Sequence, residues 1–258
     1  MGNKIDRTGE INCNTFGSEM IITEYRSAKD IDVYFSEYNW TFKNVRYSIF
    51  KNGNMKCPYE RRHYKIGYLG EGEYKMSENR KHTKVYNTWH HMLERCYDKK
   101  FQEKHPTYKD CKISEEWHNF QNFGNWYNEN YYEVEGEIMC LDKDILVKHN
   151  KIYSPDTCIF VPQIINTLFV KRDNDRGESC IGTSLKDGKY QVSCNLINPK
   201  TGKSKSEYLG IYDTELEAFE VYKYYKEKNI KQVADYYKEQ IPYKLYNALY
   251  KYKVEIND

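Results

Sequence analysis

The first 66 residues mix polar positions with branched or aromatic ones in short alternating runs, a pattern typical of β-strands. Three such runs, EMIITEY, DIDVYFSEY and WTFKNVRYSIF, are separated by turn-forming residues. They predict a small antiparallel β domain that closes near Pro58. The polar, glycine-containing segment that follows, YLGEGEYKMSENRKHT, predicts a linker or an extended arm.

The pattern changes to a helical period in the centre of the chain. Apolar side chains predict one face of a helix over about 84–98, at Val85, Trp89, Met92, Leu93 and Cys96. Ser114 followed by two glutamates predicts the start of a second helix, because a hydroxyl cap and an acidic first turn satisfy the free amides. The buried stripe predicted for it consists of Trp117, Phe120, Phe123 and Tyr127. The segment 131–147 is strand-like, and a turn, a short strand and the brief helix QIINTLFV follow it.

From Ser179 onward, three strands are predicted: CIGTSLK, KYQVSCNLI and KSEYLGIY. The pair Asp187-Gly188 between the first two is a strong hairpin signal. Thr214 with a glutamate three residues later forms a capping box. It predicts a helix with the buried stripe Leu216, Phe219, Tyr222 and Tyr225. A last helix is predicted over about 242–252.

The run YKYYKEKNIKQVADYYKE within the long helix has two interpretations. Tyrosines interleaved with lysines suit the stacking of single-stranded nucleic acid. The helical spacing favours the other interpretation, in which the tyrosines are core residues and the lysines lie along them with their charges in water.

Together these elements predict an α+β protein in four segments. The predicted segments are a β domain at 1–66, a central α+β module at 67–172, a three-stranded sheet with a helix at 178–235 and a helical extension at 236–258. A chain that is 39% hydrophobic and 30% charged is too apolar for a disordered protein and too polar for a membrane protein. No apolar run approaches the roughly 20 residues of a membrane span, and the first residues lack a signal-peptide pattern. We therefore expect a cytoplasmic protein with no membrane partner.

Charge and cysteine spacing narrow the chemistry further. The net charge of +2 excludes a bulk polycation, although lysine and arginine outnumber the acids in 1–66 and in 171–212. The eight cysteines include no CxxC pair. A structural zinc held by a histidine and thiolates of the central module is therefore less favoured than buried thiols. The thiolates in question are those of Cys96, Cys111, Cys140 and Cys158.

The segment 179–234 resembles the Apetala/ethylene-response-factor DNA-binding domain found fused to phage and mobile-element endonucleases. The matching residues are IGTS at 181–184, GKYQVSCN at 188–195, YLGIYDT at 208–214 and EAFEVY at 217–222. In that family a three-stranded sheet enters the major groove of duplex DNA while the helix packs behind it. By this resemblance Val192 and Cys194 face the helix.

The resemblance also implies which residues contact duplex DNA. The positions that face the DNA are Ser184, Lys186, Ser193, Asn195, Ser206 and Tyr208. Lys186, Lys189, Lys203 and Lys205 are the candidates for phosphate contacts. The plant members of the family use mainly arginine and tryptophan at these positions, so the bidentate guanine contact of arginine is missing here. A generic packing module or a protein-binding module is the alternative interpretation of the same sheet.

The centre of the chain resembles the HNH-type nuclease modules that accompany this domain in phage proteins. The matching residues are TWHHMLERCY at 88–97, YKDCKISEEWHNFQNF at 108–123, LDKDI at 141–145 and YSPDTCIFV at 153–161. A working site of this class needs a histidine that activates water, an asparagine that orients the histidine, and a metal. This chain has Asp142 and Asp144 where the histidine is expected, and Thr157 where the asparagine is expected.

These departures leave three functions open. Asp142 and Asp144 are candidate ligands for Mg²⁺ or Mn²⁺, and His149 is the nearby candidate for the general base. We expect a phage-type protein that binds duplex DNA in a bacterial host and whose nuclease activity is weak or lost. One alternative is an active, metal-dependent DNA-nicking endonuclease. The other is an anti-defence inhibitor that binds a host nuclease or immune complex.

Overall fold

The computed structural model of the protein describes residues 5–170, 179–256 and 258. The chain divides into two compact units, one formed by 1–109 with 113–125 and the other by 110–112 with 126–258. Both units combine helices with antiparallel sheets, so the protein belongs to the α+β class as predicted. The four predicted segments divide the chain at other points and stay predictions.

The first unit begins with an antiparallel sheet of four strands in sequential order. Its strands are β1 (Ile11–Cys13), β2 (Glu19–Ser27), β3 (Asp30–Phe35) and β4 (Trp40–Val45). The apolar side chains of β2 and β3 are buried beneath a short helix, α1 (Tyr47–Lys51). The third predicted strand was too long, because Val45 pairs with Ile31 at the start of β3. After Val45 the chain leaves the strand and enters α1, whose first amide, that of Tyr47, donates to the Ala28 carbonyl.

The predicted helix near residue 84 is α2 (Lys84–Tyr97), and its predicted apolar stripe is buried except at Val85, which is only partly buried, while the neighbouring Tyr86 is buried. Thr83 caps it by accepting a hydrogen bond from the amide of Tyr86. The indole Nε1 of Trp89 donates to the carbonyl of Trp117 at 2.7 Å. The predicted linker contains a small hairpin, β5 (Ser77–Glu78) with β6 (Lys81–His82), and α2 is followed by α3 (Lys99–Lys104).

The second predicted central helix begins later than expected. After β7 (Lys112–Ile113), Ser114 precedes only a 3-10 turn over Glu115–His118, and its side chain makes no cap hydrogen bond. The α-helix α4 (Phe120–Asn130) follows. Asn119, directly before α4, makes the side-chain hydrogen bond that was expected of Ser114: its Oδ1 accepts from the amide of Gln121 in the first turn.

The second unit contains a short sheet in which β8 (Met139–Asp142) is antiparallel to β10 (Ile159–Pro162). In sequence, β9 (Ile152–Tyr153) comes between β8 and β10 but is not part of this sheet. The brief helix predicted after β10 is α5 (Gln163–Thr167). Only the 139–142 part of the strand-like run 131–147 is a strand, because the pairing with β10 ends at Asp142.

The C-terminal part of this unit follows the prediction closely. The three strands are β11 (Thr183–Lys186), β12 (Lys189–Ile197) and β13 (Ser204–Tyr212). The helices are α6 (Glu215–Tyr237), which opens with the predicted capping box, and α7 (Tyr243–Lys251). The stripe predicted for α6 is wrong at Leu216, which is 62% exposed, because packing against the sheet begins at Ala218.

Candidate functional site

The outer face of the sheet formed by β11, β12 and β13 is the first candidate site. Asp187 and Gly188 both have positive φ angles, 52° and 78°, so they form the tight two-residue hairpin that the sequence predicts between β11 and β12. The hairpin fixes the register, with Ser184 opposite Gln191. On the other side of β12, Asn195 lies opposite Ser206. These polar side chains therefore share one face of the sheet.

The inner face of the same sheet is closed by α6. Val192 and Cys194 are almost completely buried and pack in one cluster with Ala218, Phe219 and Tyr222. The predicted orientation of Val192 and Cys194 towards the helix is confirmed. The inner face is occupied by the core, and the outer face is left to solvent.

A β-bulge places the aromatic residue of the outer face. Val192 pairs with Gly210 and Ser193 pairs with Tyr208, so Leu209 is an extra residue in β13. A bulge of this kind redirects the side chains of its strand and increases the local twist. It brings Tyr208, 59% exposed, directly opposite Ser193.

The lysines proposed for phosphate contact differ in position. Lys186 and Lys189 lie opposite one another at the hairpin end of the outer face. The ammonium of Lys189 is 2.8 Å from a carboxylate oxygen of Asp213, which raises the pKa of Lys189 and lowers that of Asp213. Lys205 pairs with Leu196, one position out of phase with Ser206, and so lies on the opposite face. Lys205 therefore does not share the outer face, and its phosphate contact stays a prediction.

The aspartate pair of the central module is engaged within its own loop. One carboxylate oxygen of Asp142 accepts from the backbone amides of Asp144 and Ile145, at 2.9 and 2.7 Å. Burial, reinforced by the charge of Asp144, raises the pKa of Asp142 to about 6. The two backbone hydrogen bonds oppose this shift without cancelling it.

A buried lysine that sequence reasoning did not single out stands between the two aspartates in the sequence. Lys143 is 8% exposed, and its ammonium is 3.0 Å from an Asp144 carboxylate oxygen and 5.7 Å from the centre of the Tyr153 ring. The side-chain amide of Asn150 holds this loop closed by donating to the Lys143 and Ile152 carbonyls. The signal for Lys143 was its place between the two acids in the sequence, since a buried ammonium needs a carboxylate partner.

His149 takes part in a different group from the one predicted. Its Nε2 is 3.2 Å from a carboxylate oxygen of Glu255, which lies 106 residues away in sequence. Among the described residues, one group of three potential ligands lies close enough for a metal: His149, Glu255 and Asp258. The ammonium of Lys148 already lies 3.2 Å from Glu255 and 2.8 Å from Asp258. The structure therefore does not bring His149 together with Asp142 and Asp144 as one such group.

Thr157 and the central cysteines complete the module. The hydroxyl of Thr157 donates to the Ile152 carbonyl at 2.8 Å and hydrogen-bonds the Ser154 hydroxyl, so it braces the loop before β10. Cys158 is fully buried, and burial raises the pKa of its thiol to about 12. Cys96 lies in the buried stripe of α2.

Comparison of the chain with protein-family models, with curated proteins and with solved structures returned no match. In the part of the chain that the structure describes, no helix has both the length and the apolar character needed to cross a membrane. The function is therefore argued from the geometry of the two candidate sites.

Proposed function

We propose that the protein binds duplex DNA through the outer face of the sheet formed by β11, β12 and β13, and that its DNA cleavage is weak or lost. The observation that carries the proposal is the division of this sheet into a face packed on α6 and an exposed face of hydroxyl and amide groups. The exposed face carries Ser184, Gln191, Ser193, Asn195, Ser206 and Tyr208.

The chemistry of this face suits base edges in the major groove. Amide and hydroxyl side chains donate and accept hydrogen bonds, and an asparagine pairs with adenine in two bonds. Lys186 adds a positive charge at the hairpin end for a phosphate. This set contains no arginine, so we expect modest sequence discrimination supported by backbone contacts.

The state of the central module supports weak cleavage. A nuclease of the HNH type needs a histidine that is oriented by a hydrogen-bond partner and lies beside a metal site. Here Asp142 accepts two backbone amides, Asp144 pairs with Lys143, and His149 pairs with Glu255. These contacts tie the three side chains to different partners, so Asp142, Asp144 and His149 do not form one preassembled catalytic group.

The test is duplex binding by fluorescence anisotropy over a salt series, with nicking of supercoiled plasmid measured in parallel in Mg²⁺ or Mn²⁺. Lys186→Ala and Lys205→Ala form a matched pair, because they remove the same charge from opposite faces of one sheet. We expect Lys186→Ala to reduce the slope of log affinity against log salt by about one. Lys205→Ala should leave the slope unchanged.

Three outcomes decide between the candidate functions. Salt-dependent binding without nicking supports the proposal. Nicking that is lost in Asp144→Ala, with the circular dichroism spectrum intact, identifies an active endonuclease instead. Absence of duplex binding at low salt overturns the proposal and directs attention to the inhibitor alternative, which predicts a stable complex with a host protein.

A further inference from the structure

Three tyrosines form a row along the solvent face of α7. Tyr243, Tyr246 and Tyr250 recur at helical spacing, while Leu245 and Leu249 on the other side of the helix are fully buried. The ring centres of Tyr243 and Tyr246 are 6.5 Å apart, and those of Tyr246 and Tyr250 are 5.4 Å apart. Neighbouring ring planes are inclined by only 32° and 31°. The row is therefore a series of similarly oriented rings on an anchored helix.

The two end rings of the row remain open to solvent although they are large and partly apolar, whereas Tyr246 is partly buried against the core. Tyr243 is 78% exposed and Tyr250 is 44% exposed. The middle ring, Tyr246, is held in place because its hydroxyl donates to Asp235 on α6 at 3.0 Å. Burying apolar ring area is favourable, so a fixed and exposed row of rings is suited to a ligand with flat faces of its own.

A stripe of lysines on α6 lies beside the row. Tyr224, Lys228, Lys231, Asp235 and Lys238 recur at steps of three or four residues and so occupy one face of the helix. The ammonium of Lys231 is 5.4 Å from the centre of the Tyr250 ring, and that of Lys238 is 5.9 Å from the centre of the Tyr246 ring. Among the described acidic groups, none forms an ion pair with these two lysines. Their charges are therefore available to an anion.

We infer that this surface, the tyrosine row with Lys231 and Lys238, binds single-stranded nucleic acid. Bases stack on aromatic side chains whatever their sequence, and flanking lysines attract the phosphates. Lys231 and Lys238 are separated by about 10 Å along the axis of α6, so both can contact phosphates of one extended strand. Duplex DNA fits this surface less well, because its base faces are already stacked on each other. The surface lies on α6 and α7, apart from the outer sheet face assigned to duplex DNA.

The experiment measures anisotropy of labelled oligothymidine and oligouridine strands, and of a duplex, with the full chain. Tyr243→Ala and Tyr250→Ala should each weaken single-strand binding roughly tenfold. Tyr243→Phe keeps the ring and should retain the affinity. Tyr236→Ala is the matched control, because Tyr236 is also 44% exposed on α6 but lies outside the stripe.

The experiment distinguishes a DNA strand from an RNA strand, and it tests this inference separately from the proposed function. Binding of oligothymidine, oligouridine or both supports the inference and shows which strand is preferred. The inference is overturned if neither strand binds at low salt, or if Tyr236→Ala weakens strand binding as much as Tyr243→Ala and Tyr250→Ala do. It is also overturned if the tyrosine variants leave the strand affinity unchanged while an acidic peptide binds the protein. Tyr208→Ala should weaken duplex binding and leave single-strand binding unchanged. If the protein binds the single strands but not the duplex, the proposed function fails and this inference stands.

Discussion

Asn229 joins the long helix α6 to the end of β12, and its removal is expected to loosen the scaffold of both proposed surfaces. Its Nδ2 donates to the Ile197 carbonyl and its Oδ1 accepts from the Ile197 amide, each at 2.9 Å. Asn229 is only 3% exposed, so water cannot replace these contacts. In Asn229→Ala a buried amide and a buried carbonyl lose their partners, at a cost of about 1–3 kcal/mol per group. We expect a loss of about 2–6 kcal/mol in local stability.

Hydrogen exchange at the Ile197 amide is the most direct assay. The chain has two compact units, so a single unfolding transition is not guaranteed. A loss of about 2–6 kcal/mol corresponds to exchange roughly 30-fold to 20,000-fold faster at this amide. Asn195→Ala is the matched control, since it removes the same side chain from an exposed position two residues earlier in β12. Unchanged exchange in Asn229→Ala, or an equal change in the control, would refute the reasoning.

Three further changes test the same unit. Gly182→Ala would place its Cβ 2.0 Å from the Tyr222 ring at a φ of +76°, so denaturant unfolding should show a loss of about 2 kcal/mol or more. Thr214→Ala removes the capping box of α6 and should lower the free energy of unfolding, followed by thermal denaturation, by about 1 kcal/mol. The pKa of Asp142 is raised to about 6 in the folded protein, which therefore binds this proton more tightly than the unfolded chain does. Protonated Asp142 therefore stabilises the folded protein at low pH, and this contribution should be lost as the pH rises through about 6. The denaturant midpoint should fall over that pH range in the unmodified protein and should change less in Asp142→Asn.

The C-terminal sheet was predictable because its determinants are local. The two-residue period of β12 assigns Val192 and Cys194 to one face and Ser193 and Asn195 to the other. The hairpin residues and the capping box fix where the strands and the helix begin. The bulge that brings Tyr208 opposite Ser193 has no comparable sequence signal, although the period within β13 already places Tyr208 with Ser206.

The tyrosines of the long helix show where local reasoning stops. Tyrosines occur on several faces of α6, so the helical period alone cannot tell which of them the rest of the chain covers. Tyr222 and Tyr237 are buried, whereas Tyr224 and Tyr236 are exposed, and the interpretation of the run as core tyrosines is wrong for the latter pair. The difference depends on where β12 and α7 pack against the helix, and that is decided by residues far away in sequence.

The same limit explains why the catalytic candidates were harder to place than the sheet. His149 was proposed as a base from its closeness in sequence to the aspartates, yet its partner Glu255 lies 106 residues away. Lys148, its neighbour, is likewise drawn to Asp258. The Glu255 contact occupies Nε2 of His149, so Nδ1 is the ring nitrogen that a role as a base would use. What separates His149 from the proposed catalytic role is its grouping, because the structure places it with Lys148, Glu255 and Asp258 and not with Asp142 and Asp144. Sequence proximity could not reveal this, since the acidic partners come from a segment far away in the sequence.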